Sequence, residues 1–290
     1  MAKIAWIGLG VMGFSMAGHL ATKSNHQITV YNRTMQKAEN WVRQYGGRSA
    51  ASPSQAAQDA DFILCCVGND DDLRAVTLGP AGAFTALKQG ATFIDHTTSS
   101  ATVARELDEQ AHKHGAHFFD APVSGGEKGA QNGTLTVMCG GPEAHFTPAK
   151  QLIANFATSC RLMGAAGAGQ LTKMVNQITI AGLIQSLCEA IHFAESAGLD
   201  VAQVMDVISK GAAQSWQMDN RWQTITNREF DFGFAVDWMR KDLAICLDEA
   251  KRNGAQLPIA ELVDGYYAQV QKDGGNRLDT SSLITRLDKL

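Results

Sequence analysis

No charge of one sign dominates this chain. Lysine and arginine number 25 against 29 aspartates and glutamates, a net charge of −4, with a pI near 6.1. Such a balance offers no basic field to gather phosphates or anionic lipid, so neither nucleic acid nor a membrane is an expected partner. Cysteine is sparse and unpatterned: Cys65, Cys66, Cys139, Cys160, Cys188 and Cys246 form no C-x-x-C pair. Two of them adjoin in the apolar run FILCCV, where a thiol serves as a small hydrophobe, and a reduced, cytoplasmic setting is expected. No apolar run reaches the roughly 20 residues of a membrane span. The longest candidate, residues 171–194, is interrupted by Lys173, Asn176, Gln177, Gln185 and Glu189. At the N-terminus, glycines break MAKIAWIGLGVMG too early for a signal peptide. The eight histidines include no H-E-x-x-H or comparable array, so no metal is expected. A serine hydrolase is disfavoured by the lack of a G-x-S-x-G elbow.

What is present is alternation. With 290 residues, 45% of them hydrophobic, the chain is long enough for one large or two ordinary domains. KIAWIG and QITVYN read as strands; VMGFSMAGHLA and TMQKAENWVRQYG, ending at Gly46, read as helices. DFILCCV and ATFIDH continue the strands, TVARELDEQAHKHG is a helix stopped by Gly115, and AHFFDAP and TLTVMCGG are strands again. A helix is expected from near Pro142, and the strand signal fades around SCRLMG, 159–164. Short apolar strands alternating with helices predict a mostly parallel sheet covered on both faces, because parallel crossovers are helical. From Gly169 onward the pattern is helical, over 169–197, 200–210, 215–226, 237–253 and 258–272 with a short C-terminal piece. The expected division is therefore 1–163 and 164–290 in an α/β protein: an N-terminal parallel-sheet domain followed by an all-α domain.

Gly8-Leu9-Gly10-Val11-Met12-Gly13 is a G-x-G-x-x-G between a strand and a helix, the context that marks a dinucleotide fingerprint. Gly8 suits the tight turn, Gly10 the approach of backbone to pyrophosphate, and Gly13 close helix–strand packing, while the helix N-terminus offers N–H groups and a positive dipole end. At the end of the second strand an NAD site would carry an acid to bind the ribose hydroxyls. Here stand Tyr31-Asn32-Arg33-Thr34. An amide, a guanidinium and a hydroxyl at that place favour NADP(H), with NAD(H) left open as a second cofactor. Val67, just past the FILCC strand, is also counted among the cofactor-binding residues.

Polar residues gather at three further places. Thr97, Thr98, Ser99 and Ser100 follow ATFIDH at a carboxyl strand end, where ligands sit in open α/β sheets. Thr98 is expected to touch the nicotinamide half; Ser99 and Ser100 serve equally well as helix caps. In Asp120-Ala121-Pro122-Val123-Ser124-Gly125-Gly126 a hydroxyl beside two glycines makes a nest for a carboxylate. Finally, Lys173, Asn176 and Gln177 share one face of an otherwise apolar helix by i, i+3, i+4 spacing, an expensive placement without a partner. Lys241 in Arg240-Lys241-Asp242 is a second helical lysine. Trp216, Met218, Asn220, Arg221, Phe230, Phe232 and Phe234 line a far wall or simply form helical core.

Taken together, IGLGVMG, DHTTSS, DAPVSGG, GAGQLTKMVNQ and the RKDL segment resemble the β-hydroxyacid dehydrogenase family over nearly the whole chain. That family includes 3-hydroxyisobutyrate dehydrogenase, tartronate semialdehyde reductase and the glyoxylate/succinic semialdehyde reductases. The resemblance implies a Rossmann domain, a long helix joining it to an all-helical domain that supports homodimers or homotetramers, and a cleft between the domains. It also implies roles: Lys173 as the catalytic lysine with Asn176 as its polar partner, Ser124, Gly125 and Gly126 as the site for a substrate carboxylate, and Thr98 and Lys241 as cofactor contacts. Many relatives carry Asn-Asn where this chain has Asn176-Gln177, so Gln177 is assigned to substrate binding on its remaining donor and acceptor. Position 97, often Ser in relatives, is Thr here. The QSWQMDNRW and NRLDTSSLI stretches point to 3-hydroxyisobutyrate dehydrogenase, whereas Arg33 points to the aldehyde-reducing members. A non-catalytic NADP-binding protein would have lost Lys173 or the Ser124 nest, and a decarboxylating 6-phosphogluconate-type enzyme would need a larger helical domain.

Overall fold

The computed structural model describes residues 1–289. By compactness they form two units, Met1–Lys173 and a second beginning at Met174. The first contains β1 (Lys3–Ile7), α1 (Val11–Lys23), β2 (Gln27–Tyr31), α2 (Met35–Tyr45), β3 (Arg48–Ser49), α3 (Pro53–Ala57), β4 (Phe62–Cys65), α4 (Asp70–Thr77), β5 (Thr92–Asp95), α5 (Ala101–Lys113), β6 (His117–Asp120), β7 (Val123–Ser124), α6 (Gly126–Asn132), β8 (Leu135–Gly140), α7 (Phe146–Ile153) and β9 (Ala157–Gly164). A long helix, α8 (Ala168–Ser196), starts in this unit. The second unit continues with α9 (Val201–Ile208), α10 (Trp216–Thr226), α11 (Val236–Asn253), α12 (Pro258–Lys272) and α13 (Ile284–Leu287).

The strands join in one sheet, in the order β3-β2-β1-β4-β5-β6-β8-β7 with β9 on β8. Pairings from β3 to β6 are parallel; β8 is antiparallel to β6 and β7 and parallel to β9. Side chains alternate faces along a strand, so a sheet covered on both sides makes two cores. Ile4, Trp6, Leu64, Ile94 and Phe119 belong to one, and Ala5, Ile7, Ile63, Cys65, Phe93 and Phe118 to the other. This double burial explains why the strands read as unbroken apolar runs.

Four local features depart from the sequence expectation. The region around SCRLMG is a full strand, β9, whose alternation is hidden because most of its residues are exposed. The helix expected near Pro142 begins at Phe146, after a 3₁₀ turn over Glu143–His145. The DAPVSGG segment holds β7 and leads straight into α6 rather than forming a simple turn. The elements β3, α3 and α4 were not anticipated at all; Ser52 caps α3 by accepting from the Gln55 N–H, with Pro53 at the first helical position, and Asn69 caps α4 by accepting from the Asp72 N–H.

In the second unit, Ala181, Ile184, Cys188 and Ile191 of α8 pack with Val236, Met239 and Leu243 of α11 and Val263 and Tyr267 of α12. By length and composition alone α8 could cross a membrane, but its polar Gln177 and Gln185 are buried beside these core positions. Arg228, one of two described non-glycine residues with positive φ, ties the ends of this unit together. Its guanidinium donates to Glu195 of α8 (2.9 Å) and to Asp288 after α13 (2.7 Å). These charge-assisted bonds hold its pKa above the ordinary arginine value. Glu195, Asp288 and His192 bring possible metal-ligand atoms within 4.8 Å of one another, yet both carboxylates are already paired with the single Arg228 guanidinium. Replacing Arg228 with alanine leaves these acids facing each other; urea unfolding should show a loss of about 1–3 kcal/mol.

Candidate active site

The candidate residues of the first unit stand at or just past the carboxyl ends of β1, β2, β4, β5 and β7. Gly8 turns at φ +94°, and a Cβ there would lie 2.2 Å from the Cys66 carbonyl oxygen. A Cβ on Gly13 would meet the Gly8 carbonyl at 2.1 Å, so helix α1 approaches the end of β1 at a distance that only glycine permits. Gly10 differs: its backbone is extended and a Cβ would meet nothing within 4 Å. No acidic residue lies in the first turn of α1, so its N–H groups and positive dipole end remain available to an anion. Leu9 is buried, Val11 exposed and Met12 partly buried.

Asn32 is a brace for this loop. Its Oδ1 accepts from the Leu9 N–H at 2.9 Å, and its Nδ2 donates to the Thr34 carbonyl at 3.0 Å. Thr34 precedes α2 without using its hydroxyl as a cap. Arg33 is 86% exposed and donates to Asp72, in the first turn of α4, at 3.2 Å. Val67 donates its N–H to Thr97 Oγ1 at 3.0 Å, which couples the end of β4 to that of β5.

Thr98 is half-buried between two buried neighbours, Thr97 and Ser99. The two serines that follow have separate duties. Ser100 caps α5 by accepting from the Val103 N–H, and its own hydroxyl and N–H are held by Asp70; Ser99 is not the cap. Ser124 ends β7, and Gly125 (φ +129°) and Gly126 (φ +62°) are exposed where α6 begins. A Cβ on Gly126 would face open space.

Two buried carboxylates sit side by side in register, Asp95 on β5 and Asp120 on β6. Asp120 accepts the Gly167 N–H at 2.7 Å through one oxygen and the Gln170 N–H at 2.8 Å through the other, capping the start of α8. Burial raises its pKa to about 6 despite these bonds. Asp95 accepts the Thr97 N–H; burial, with Asp120 as like-charged neighbour, raises its pKa to about 7. The fully buried His96, stacked on Trp6 at 5.9 Å, donates from Nδ1 to the Ala121 carbonyl at 2.7 Å. Desolvation lowers its pKa to about 4 and keeps it neutral.

Lys173, 7% exposed, lies one turn beyond Gln170 on α8. In the second unit, Gln177 is buried and its amide is engaged at both ends: Nε2 donates to Asp242 at 2.6 Å and Oε1 accepts from Asn176 at 2.8 Å. Lys241 lies 3.1 Å from the same Asp242 and 5.9 Å over the Trp238 ring. Arg221 is sandwiched by Trp216 and Phe232 at 5.1 and 5.0 Å and pairs with buried Asp279 at 3.5 Å. Met218 and Phe230 are core.

Sequence reading overlooked Gln170 in the first unit and Asp242 in the second, although periodicity marks both. Gln170 shares the i, i+3, i+4, i+7 stripe with Lys173, Met174 and Gln177, all buried. Asp242 shares the buried stripe of α11 with Leu243, Cys246 and Ala250.

Sheet order, glycine turn and open helix N-terminus define a dinucleotide-binding protein of the Rossmann type. The NAD-binding domain of 6-phosphogluconate dehydrogenase matches residues 3–164. The NAD-binding domain of NADP-dependent 3-hydroxyisobutyrate dehydrogenase matches residues 167–287. The chain is 41% identical to the Arabidopsis thaliana protein named probable 3-hydroxyisobutyrate dehydrogenase-like 1, over 99% of this chain and 86% of that one. It is 32% identical to 2-hydroxy-3-oxopropionate reductase of Escherichia coli, over 99% and 97%. The Mycobacterium tuberculosis 3-hydroxyisobutyrate dehydrogenase, solved with L-serine, superposes with a TM-score of 0.90 at 30% identity, covering 99% of each chain. The chain belongs to the β-hydroxyacid dehydrogenase family, of the 3-hydroxyisobutyrate dehydrogenase-like kind, and is an oxidoreductase acting on CH–OH groups.

The buried carboxylates give the fold a pH dependence of definite sign. A carboxyl whose folded pKa is raised favours the folded state most below its unfolded value of 3.8, and that contribution is lost as pH rises through about 7 for Asp95. Asp95→Asn keeps an acceptor for the Thr97 N–H and removes the ionisation. Denaturant unfolding between about pH 4 and pH 8 should show the variant losing less stability than the wild type. The gap should widen with pH and level off above neutrality; parallel curves would contradict the assignment.

Proposed function

We propose that this chain is an NADP(H)-dependent β-hydroxyacid dehydrogenase of the 3-hydroxyisobutyrate type, interconverting a small 3-hydroxy acid and its semialdehyde. The observation that carries the reading is Lys173: a buried lysine on a helix whose first turn is bonded to the ends of β5 and β6. Residues 1–163 hold the dinucleotide and 164–290 form the helical domain. Gly8 to Gly13, with Leu9, Val11 and Met12, cradle the pyrophosphate; the extended Gly10 at an open helix end suits it. Asn32, Arg33 and Thr34 serve the adenosine 2′-phosphate, and Val67, Thr98 and Lys241 complete the cofactor contacts. Bound nicotinamide supplies or accepts the hydride. Lys173 holds the proton that the substrate oxygen gives up in oxidation and receives in reduction, acting as general base or acid. Asn176 shares its helix face and orients the substrate oxygen. Ser124, Gly125 and Gly126 bind the substrate carboxylate, and Gln177 uses its second N–H and second lone pair for the substrate.

A second reading, a glyoxylate or succinic semialdehyde reductase, is favoured by Arg33 because the NADPH pool is kept reduced and drives reduction; a tartronate semialdehyde reductase is a third. The six free cysteines fit a reduced compartment such as the cytoplasm. A homodimer or homotetramer is supported by apolar side chains on the surface of the helical unit: Val175, Leu183 and Phe193 on α8, and Ile259 and Leu262 on α12, are exposed. Light scattering should return the mass of two or four chains.

The kinetic test pairs NADPH oxidation by succinic semialdehyde and glyoxylate with NADP and NAD reduction by 3-hydroxyisobutyrate, serine and glycerate. Turnover with at least one of these pairs is expected, with NADP(H) preferred. Lys173→Ala should lower kcat by about 10²–10⁴ while cofactor binding persists; near wild-type turnover would sink its role. Arg33→Ala should raise KM for NADPH by about tenfold or more and leave KM for NADH nearly unchanged.

A further inference from the structure

Gln170 has no accessible surface, yet all of its polar groups are in use. Its N–H goes to Asp120 Oδ2 at 2.8 Å. Its side-chain Nε2 donates to the Thr97 carbonyl at 2.7 Å, and its Oε1 accepts from the Ser99 N–H at 3.1 Å. The amide therefore clasps the backbone on both sides of Thr98, and only a planar group with a donor and an acceptor can do so. Lys173 follows Gln170 by three residues on the same helix, one turn away and on the same buried face.

We infer that Gln170 is a positioning residue, which sets the distance between Thr98, beside the nicotinamide, and the proton-carrying Lys173. This rests on the functional reading given above. Hydride and proton move together only when donor, carbonyl carbon and acid are aligned, and an ångström of misplacement costs about 10²-fold in rate. Asp120 anchors the helix along its axis, and the Gln170 amide fixes the β5–α5 loop against it. Neither residue needs to touch the substrate for this effect. The backbone groups flanking Thr98 are buried, so losing the amide leaves a carbonyl and an N–H unsatisfied; the loop then shifts to recover partners.

The test uses the full-length enzyme, wild type, Gln170→Met and Gln170→Glu, with whichever substrate of the paired assay the wild type turns over fastest. Gln170→Met, similar in volume, should lower kcat by about 10–100-fold while KM for the cofactor stays within about twofold. The isotope effect with 4-deuterated NADPH should rise as hydride transfer becomes limiting. The thermal midpoint should stay close to that of the wild type. Gln170→Glu should be partly active where the new carboxyl is protonated and able to donate to the Thr97 carbonyl, and inactive once it ionises. The titratable groups around position 170 are Asp120, which accepts the Gln170 N–H, Asp95, which accepts the Thr97 N–H, and Lys173 one helical turn on; burial and the two acids raise the pKa of the introduced carboxyl, and Lys173 opposes them. Unchanged kcat in Gln170→Met overturns the proposal. So does a loss of kcat that appears together with equal losses in cofactor affinity and thermal midpoint, since that pattern describes a structural residue alone. Hydrogen exchange separates this inference from the functional reading. If the wild type turns over none of the substrates, faster amide exchange at Ser99 and in the first turn of α8 in Gln170→Met still supports the clasp, and unchanged exchange there refutes it.

Discussion

The capping of α8 by Asp120 is the interaction on which the arrangement depends. A helix of 29 residues begins with N–H groups that have no intrahelical partners, and here the first turn is buried against the sheet. One carboxylate at the end of β6 satisfies the Gly167 and Gln170 N–H groups and places negative charge at the positive end of the helix dipole. Room for it exists because Gly140 and Gly169 lack side chains: a Cβ on either would fall within 3 Å of the Asp120 carboxylate. The start of the helix, through Lys173, belongs to the sheet-containing unit.

That anchor is costly to maintain. Asp95 lies beside Asp120 in register, and burial raises both pKa values, to about 7 and about 6. Two acids at the centre of a sheet would be a poor choice for stability alone. Their N–H partners explain why they persist: Asp120 fixes the helix, and Asp95 fixes Thr97, whose hydroxyl in turn receives the Val67 N–H. Desolvated titratable groups are concentrated where the carboxyl ends of β5 and β6 meet, which is also where ligands sit in this class of sheet. His96, kept neutral by desolvation and packed on Trp6, donates to the Ala121 carbonyl in the same neighbourhood.

The helical unit uses the same economy of polar groups. Asp242 receives the Gln177 amide and lies 3.1 Å from Lys241, so one buried acid links two residues that the motifs single out. Gln177 also holds Asn176. One Gln177 amide thus spans the distance from Asn176 to Asp242.

Much of the fold was legible in the residues themselves. Apolar runs such as KIAWI and FILCC announced strands buried on both faces, and Gly8, Gly10 and Gly13 in their strand-to-helix setting announced the nucleotide turn. These signals are local, because periodicity and φ preference act within a few residues. Edge strand β9 was faint because exposed positions carry no apolar alternation, and α6 was missed because glycine-rich segments do not favour a helix by composition. The bonds that organise the site were invisible for a different reason: Asp120 to Gln170, Gln170 to Thr97 and Ser99, and Gln177 to Asp242 span 50 to 73 residues. The sequence by itself determined the residue types, their helical faces and the family. Which buried amide meets which carboxylate was decided only by tertiary structure, since desolvation forces each buried polar group to find a partner wherever the chain brings one within reach.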